Sequence, residues 1–320
     1  MFISPEVQKF LALRKEQHSP PLESQTVEEL RLTSLKTGPV FGGPVIPMAS
    51  TQDLVAPGPL GDIPLRLYRP TGAMTENAPA LIYIHGGGWV IGSIETHDRI
   101  CRQIASRSDC VVISVEYRLA PEHKAPACTD DCLSAFHWIY KNASALGIDS
   151  QRLAVGGDSA GGSLSAVTAI EARDKKIPLR AQVLIYPSVD IRLPLRNYAS
   201  RSGNGSIPPL TKEALTYFLD KYIDDEKKAD TWLTSPIIVD TLEGVAPALL
   251  LTGSLDTLHD EGVEYANRLE AANVPIIHRN FPGMIHGFIE LSGILTAAVQ
   301  AFDTIAFFLK EQLQERKTDI

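Results

Sequence analysis

Two short stretches of this 320-residue chain carry residues whose type and spacing can do chemistry. The first is Gly157-Asp158-Ser159-Ala160-Gly161, directly after the apolar run Leu153-Ala154-Val155. Small residues around the serine allow a tight, strained strand-to-helix turn that projects its hydroxyl into solvent, as an acyl-transfer nucleophile requires. Composition alone produces a GxSxG match in about one chain in ten of this length, which leaves the alternative that Ser159 merely caps the helix after it. The second stretch weighs against that alternative. His85-Gly86-Gly87-Gly88-Trp89 follows the strand-like run Leu81-Ile82-Tyr83-Ile84, and chance yields HGGG in roughly three chains per thousand. Successive glycines leave backbone N–H groups free to receive the oxyanion of a tetrahedral intermediate, where each donor commonly supplies about 3 to 4 kcal/mol. Gly87, Gly88 and Ala160 are the expected donors, with His85 anchoring the loop.

Both motifs need strand ends to carry them. Short apolar runs at Leu81 to Ile84, Val111 to Val115, Leu153 to Val155, Val183 to Ile185, Ala248 to Leu251 and Ile276 to Ile277 are too brief for helices. Gly61 to Pro70 alternates apolar and polar, as a half-exposed edge strand does. Helical segments expected over Pro126 to Leu146, Ala160 to Lys175, Asp260 to Ala272 and Leu291 to Leu313 separate most of these runs, which predicts an α/β fold with a mostly parallel sheet covered on both faces. Residues 51–190 and 236–320 then form this core. Helices are also expected around Val7 to Glu16 and Val27 to Leu35, and another around Thr211 to Ile223 inside a loop rich in Gly, Ser and Pro. Residues 1–50 and the insertion 191–235 are expected to join as a helical cap, because ligands bind beyond the carboxyl ends of such strands.

Composition narrows the partners. A net charge of -8 repels phosphate backbones and anionic lipid surfaces. Nucleic acid is therefore not expected as a partner, nor stable membrane insertion, since no window approaches the roughly 18 unbroken apolar residues of a spanning helix. The start has no basic segment followed by an apolar run, so a soluble, cytoplasmic protein is expected. Four cysteines, Cys101, Cys110, Cys128 and Cys132, make no CxxC pair, and the expectation for them is structural. No metal and no organic cofactor is expected.

With these residues in view the chain resembles the hormone-sensitive-lipase-like family of α/β-hydrolases, the branch whose elbow reads GDSAG. The likeness runs from about Leu65 to the C-terminus and also rests on Tyr117-Arg118-Leu119-Ala120-Pro121-Glu122 and His286-Gly287-Phe288. It implies an α/β-hydrolase fold and a carboxylesterase acting on small esters with short to medium acyl chains. It puts the triad acid at Asp256, in keeping with the order Ser, Asp, His of that fold. Asp260 is the rival, with a charge at the start of a helix as its plainer role. Position and resemblance together choose His286, in a turn after the last strand, as the base. His259 is expected on a helix leading away and His278 in a strand, while His18, His97, His123 and His137 are expected to be structural. Trp89 and Phe288 flank the proposed loops and are the candidates to wall the pocket, with plain core packing, the commoner role of large aromatics, as the alternative. Transfer to another acceptor, lactone opening or amide cleavage by the same triad is the second reading, and a non-catalytic receptor the third. Such relatives often pair through their last strand and helix, so the resemblance also allows a homodimer.

Overall fold

A computed structural model describes residues 2–192 and 197–314. Residues 193–196 of the expected insertion lie outside them. Eight strands form one sheet: β1 (Ser50–Gly58), β2 (Gly61–Arg69), β3 (Ala78–Ile84), β4 (Val111–Val115), β5 (Ile148–Asp158), β6 (Ala181–Ile185), β7 (Ala248–Gly253) and β8 (Ile276–Phe281), in the order β1-β2-β4-β3-β5-β6-β7-β8. β1 and β2 run antiparallel to their neighbours and the rest are parallel.

Alternation along the strands builds two cores. Ala181, Val183 and Ile185 of β6 face the side covered by α3 (Ile94–Ser108) and α9 (Thr296–Gln312), where Ile104, Phe302 and Leu309 pack. Leu184, between them, faces the side where α5 (Ala160–Asp174) and α8 (His259–Ala271) bring Ile170 and Leu269. On that side, further along, α4 (Ala127–Lys141) covers β3 and β4 with Phe136 and Ile139. Side chains of this size each contribute about 1.5 to 3 kcal/mol when fully buried, so every central strand is held from both faces. Parallel strands joined by helices need this double cover.

The differences from the sequence reading have local causes. The segment before Gly61, for which the sequence pattern predicts no strand, is strand β1; six of its nine residues are exposed, Leu54 and Gly58 are partly covered and Ala56 is buried. Its hydrogen bonds come from pairing with β2 across the Gly58↔Gly61 turn, and such backbone pairing leaves no apolar pattern to read. α3, not singled out above, starts at a capping box in which Ser93 and Thr96 exchange hydrogen bonds. The first two helices are α1 (Pro5–Glu16) and α2 (Val27–Phe41). α2 runs past Leu35 through Gly38 and Pro39 and ends at Gly42. The insertion holds a short α6 (Ala199–Gly203) and α7 (Lys212–Tyr222).

Three ties hold the N-terminal helices over the strand ends. The Glu6 carboxylate of α1 accepts from the Thr296 amide and hydroxyl. Arg31 of α2 donates to the Val90 and Ala120 carbonyls and grips Glu122. The Tyr217 hydroxyl of α7 donates to the Gln25 carbonyl at 3.0 Å, joining the insertion to the N-terminal segment. Cys128 and Cys132 share a buried face of α4, and all four cysteines are buried thiols.

Candidate active site

Strand order explains the convergence. β3 lies beside β5 with Ile84 opposite Gly157, so the His85-Gly86-Gly87 turn and the Ser159 turn leave adjacent strands at the same end of the sheet. Gly161, in the first turn of α5, sits against that loop; a Cβ there would lie 2.0 Å from the Ile84 carbonyl oxygen and 2.5 Å from that of His85. No side chain fits at this approach.

Ser159 has φ 55° and ψ -120°, a conformation that costs a non-glycine residue of order 1 to 3 kcal/mol. Backbone bonds hold it there. Its amide donates to the Ile185 carbonyl at 2.8 Å, and its carbonyl accepts from the Ser163 and Ser188 amides at 3.1 Å each. Its side chain makes no capping bond to α5, so the hydroxyl is not engaged as a helix cap.

Asp256 lies in the turn after β7 and His286 in the loop after β8, two strands that are neighbours in the sheet. His286 Nε2 is 2.9 Å from Ser159 Oγ and His286 Nδ1 is 2.7 Å from Asp256 Oδ2. The other Asp256 oxygen, Oδ1, accepts the Leu258 amide at 2.8 Å. An ionised carboxylate only accepts, so Nδ1 carries the proton and Nε2 is left to receive one from the serine. Burial depresses the His286 pKa, but the charge and hydrogen bond of Asp256, helped by Asp158 and Glu290, outweigh it and hold the ring above its ordinary value near 6.5. Asp260, the rival acid, is turned elsewhere: it accepts from the Ser200 amide and pairs with His259 Nδ1. His278 sits in β8 beside the Thr252 hydroxyl.

The glycine loop is tied to the elbow by a residue of the elbow itself. The Asp158 carboxylate, fully buried, accepts from the Tyr83 hydroxyl at 2.7 Å and the Gly86 amide at 3.0 Å, with His97 Nε2 at 3.2 Å. Burial lowers the His97 pKa, and the charge and hydrogen bond of Asp158 more than reverse this. His85 differs: burial, with the neighbouring His97 charge, pushes it down to about 3, so the ring is neutral. It stacks on Tyr117 at 4.2 Å, and the Tyr117 hydroxyl donates to the His85 carbonyl. Gly87 takes φ 119°, a region forbidding to other residues. The Gly87, Gly88 and Ala160 amides have no backbone acceptor among the described residues outside their own elements.

Sequence reading missed Asp158, His97 and Glu290 as parts of this cluster. Asp158 could have been suspected, as an acid flanking the serine within a buried turn; His97 and Glu290 carried no signal. Their donor atoms with those of Asp158 lie within 4.8 Å, the one potential cation-binding group among the described residues. Tyr83, Gly86 and His97 already occupy the Asp158 oxygens, which suits an internal hydrogen-bond cluster better than a metal centre.

A cavity of about 300 Å³ opens above Ser159 and His286. Gly87, Gly88 and Trp89 line it on the loop side, and α1, α2 and the insertion complete its walls. Trp89 also stacks on Tyr222 of α7, with ring centroids 4.5 Å apart and planes within 5°. Phe288, expected as a second wall, is not among the lining residues. It is fully buried in a one-turn helix and packs on Tyr186 and Phe281, because its own segment folds down onto the sheet.

The geometry has counterparts. A family model for the alpha/beta hydrolase fold matches residues 81–290. The chain is 43% identical over 258 residues to the carboxylic ester hydrolase LipN of Mycobacterium tuberculosis, covering 78% of this chain and 66% of that protein. It is 36% identical over 301 residues to an arylesterase of Saccharolobus solfataricus, covering 90% and 93% of the two. The hyperthermophilic esterase of the archaeon Pyrobaculum calidifontis superposes with a TM-score of 0.91 at 38% identity, over 97% of this chain and 99% of that one. With its sheet order, its glycine loop and these relatives, the chain belongs to the hormone-sensitive-lipase-like family of α/β-hydrolases.

Proposed function

We propose that this protein is a serine carboxylesterase that hydrolyses small carboxylic esters through an acyl-enzyme. The reading is carried by the relay from Ser159 Oγ to His286 to Asp256, with links of 2.9 and 2.7 Å, at the floor of the cavity. His286 removes the serine proton as Oγ attacks the ester carbonyl, and Asp256 keeps the ring in the required tautomer and stabilises its charged form. The Gly87, Gly88 and Ala160 amides receive the oxyanion, Ala160 from the first turn of α5, where the helix dipole favours negative charge. The alcohol leaves with the proton from His286; water then attacks the acyl group by the same relay and frees the acid.

Residues 1–50 and 191–235 act as the cap, since side chains from both line the cavity and Tyr217 bonds one to the other. Four free thiols suit a reducing compartment, which supports a cytoplasmic setting. No helix among the described residues is long and apolar enough to cross a membrane. A homodimer through β8 and α9 is supported by the unpaired edge of β8, where Ile277 is exposed, and by the exposed Phe307 of α9.

Hydrolysis of a series of 4-nitrophenyl esters of increasing acyl length, with Ser159→Ala alongside, tests the reading. Turnover by the native protein and its loss in the variant are expected. A folded Ser159→Ala protein with undiminished turnover overturns the nucleophile assignment. Product partition in added alcohols separates hydrolysis from acyl transfer.

A further inference from the structure

The lining of the cavity above Ser159 is mixed in chemistry. The insertion supplies Leu210, Leu215 and Phe218, all apolar. The N-terminal segment supplies Phe10, Leu22 and Leu30 as well, and with them Arg14 of α1 and Thr33 and Thr37, one helical turn apart on α2. Arg31, Arg66, Arg118 and Arg192 each close on a carboxylate. Arg14 has no such partner among the described residues: it is half-buried, its guanidinium 6.0 Å from the centre of the Phe10 ring. Burial is what acts on its pKa, lowering it, with no acid alongside to offset the effect. Glu290, which also lines the cavity, is not that partner; the charges acting on it are His97, Asp158 and His286, at the catalytic end.

A cation drawn partly out of water without a counter-charge is unfavourable until an anion joins it. The guanidinium fork matches a carboxylate in two parallel hydrogen bonds. The protein as a whole carries a net charge of -8 and repels anions, so the attraction is local to the lining around Arg14. We propose that Arg14 is a recognition site for a carboxylate on the substrate, making anionic esters the favoured class. The carboxylate belongs either to the acyl part, as in a half-ester of a dicarboxylic acid, or to the alcohol part. Thr33 and Thr37 line the same cavity, so their hydroxyls are available as further donors. This assignment rests on ester hydrolysis at Ser159.

Matched pairs of esters test it on the full-length protein. For the acyl part the pair is mono-4-nitrophenyl glutarate against neutral 4-nitrophenyl pentanoate; for the alcohol part, 4-carboxyphenyl acetate against 4-carbamoylphenyl acetate. In Arg14→Gln, kcat/KM for the anionic member of at least one pair should fall about ten- to hundredfold, mostly through KM, as expected for a lost charge-assisted contact. Its neutral partner should stay within about twofold, because only uniform binding of the charge is removed. Arg14→Lys, which keeps the charge but not the fork, should recover part of the loss. Both anionic-to-neutral ratios unchanged in Arg14→Gln, or equal losses on neutral and anionic esters, overturn the assignment while leaving the esterase reading intact. No turnover of any neutral ester by the native protein would instead remove the esterase reading itself, and this inference with it.

Discussion

Replacing Asp256 by Asn removes one charge and adds two N–H donors at a position where both acid oxygens are in use. The side chain is fully buried, with Oδ2 against His286 Nδ1 and Oδ1 against the Leu258 amide. An amide oriented to keep the Leu258 bond turns its NH2 toward Nδ1. Nδ1 must then accept, the ring proton moves to Nε2, and Nε2 can no longer take the serine proton. The opposite orientation restores the tautomer but sets NH2 against the Leu258 N–H, a buried clash of donors that costs about 1 to 3 kcal/mol. In either orientation the imidazolium formed in the transition state loses its counter-charge. Two unit charges about 4 Å apart attract by about 4 kcal/mol at an effective dielectric constant of 20. Together these effects predict a fall in kcat of about 10⁴-fold, with KM little changed. The acid limb of the pH profile carries a second signature. Because the base must be neutral, native activity falls as pH drops through the His286 pKa, which lies above the ordinary imidazole value. Without Asp256 the two largest upward influences on His286 disappear and the depressing effect of burial remains, so the limb moves to lower pH. Initial rates on a slow-reacting ester between pH 5 and 9 measure both. A loss under tenfold, or a limb that moves upward, would refute the assignment, as would a comparable loss in Asp260→Asn.

Three further outcomes are expected. Gly87→Ala places a Cβ 2.1 Å from the Ile91 carbonyl oxygen at φ 119°, so the loop must shift; kcat should fall about 10²- to 10³-fold with a smaller change in KM. Glu290→Gln removes a minor upward influence on His286 and should move the acid limb slightly downward, by less than Asp256→Asn does. An aromatic disulfide reagent at neutral pH should label none of the four thiols in the native protein and all four after unfolding, because burial raises their pKa, for Cys110 to about 11.

Local chemistry made much of this protein legible in its sequence. A serine among small residues and a run of three glycines state what the backbone must do within a few positions, whatever surrounds them. Alternating and continuous apolar runs located seven of the strands, since each must bury side chains against helices. β1 escaped because an exposed edge strand is held by backbone hydrogen bonds rather than by burial. Phe288 was drawn toward the cavity by its nearness to His286 in the chain, but the turn at Gly287, with φ 74°, directs the segment into the core.

The sequence by itself determined the elements that bury an apolar run, β1 and α3 apart, and the two loops able to hold strained or glycine-only backbone. Only the tertiary structure decided which distant groups meet. His286 lies 127 positions from Ser159 and 30 from Asp256, and their contact follows from the sheet order β5-β6-β7-β8. Likewise the meeting of His97 and Glu290 with Asp158, and the turning of Arg14 toward the cavity without an acid beside it, depend on how helices dock. Docking is set by long-range packing, which leaves no mark in the spacing of neighbouring residues.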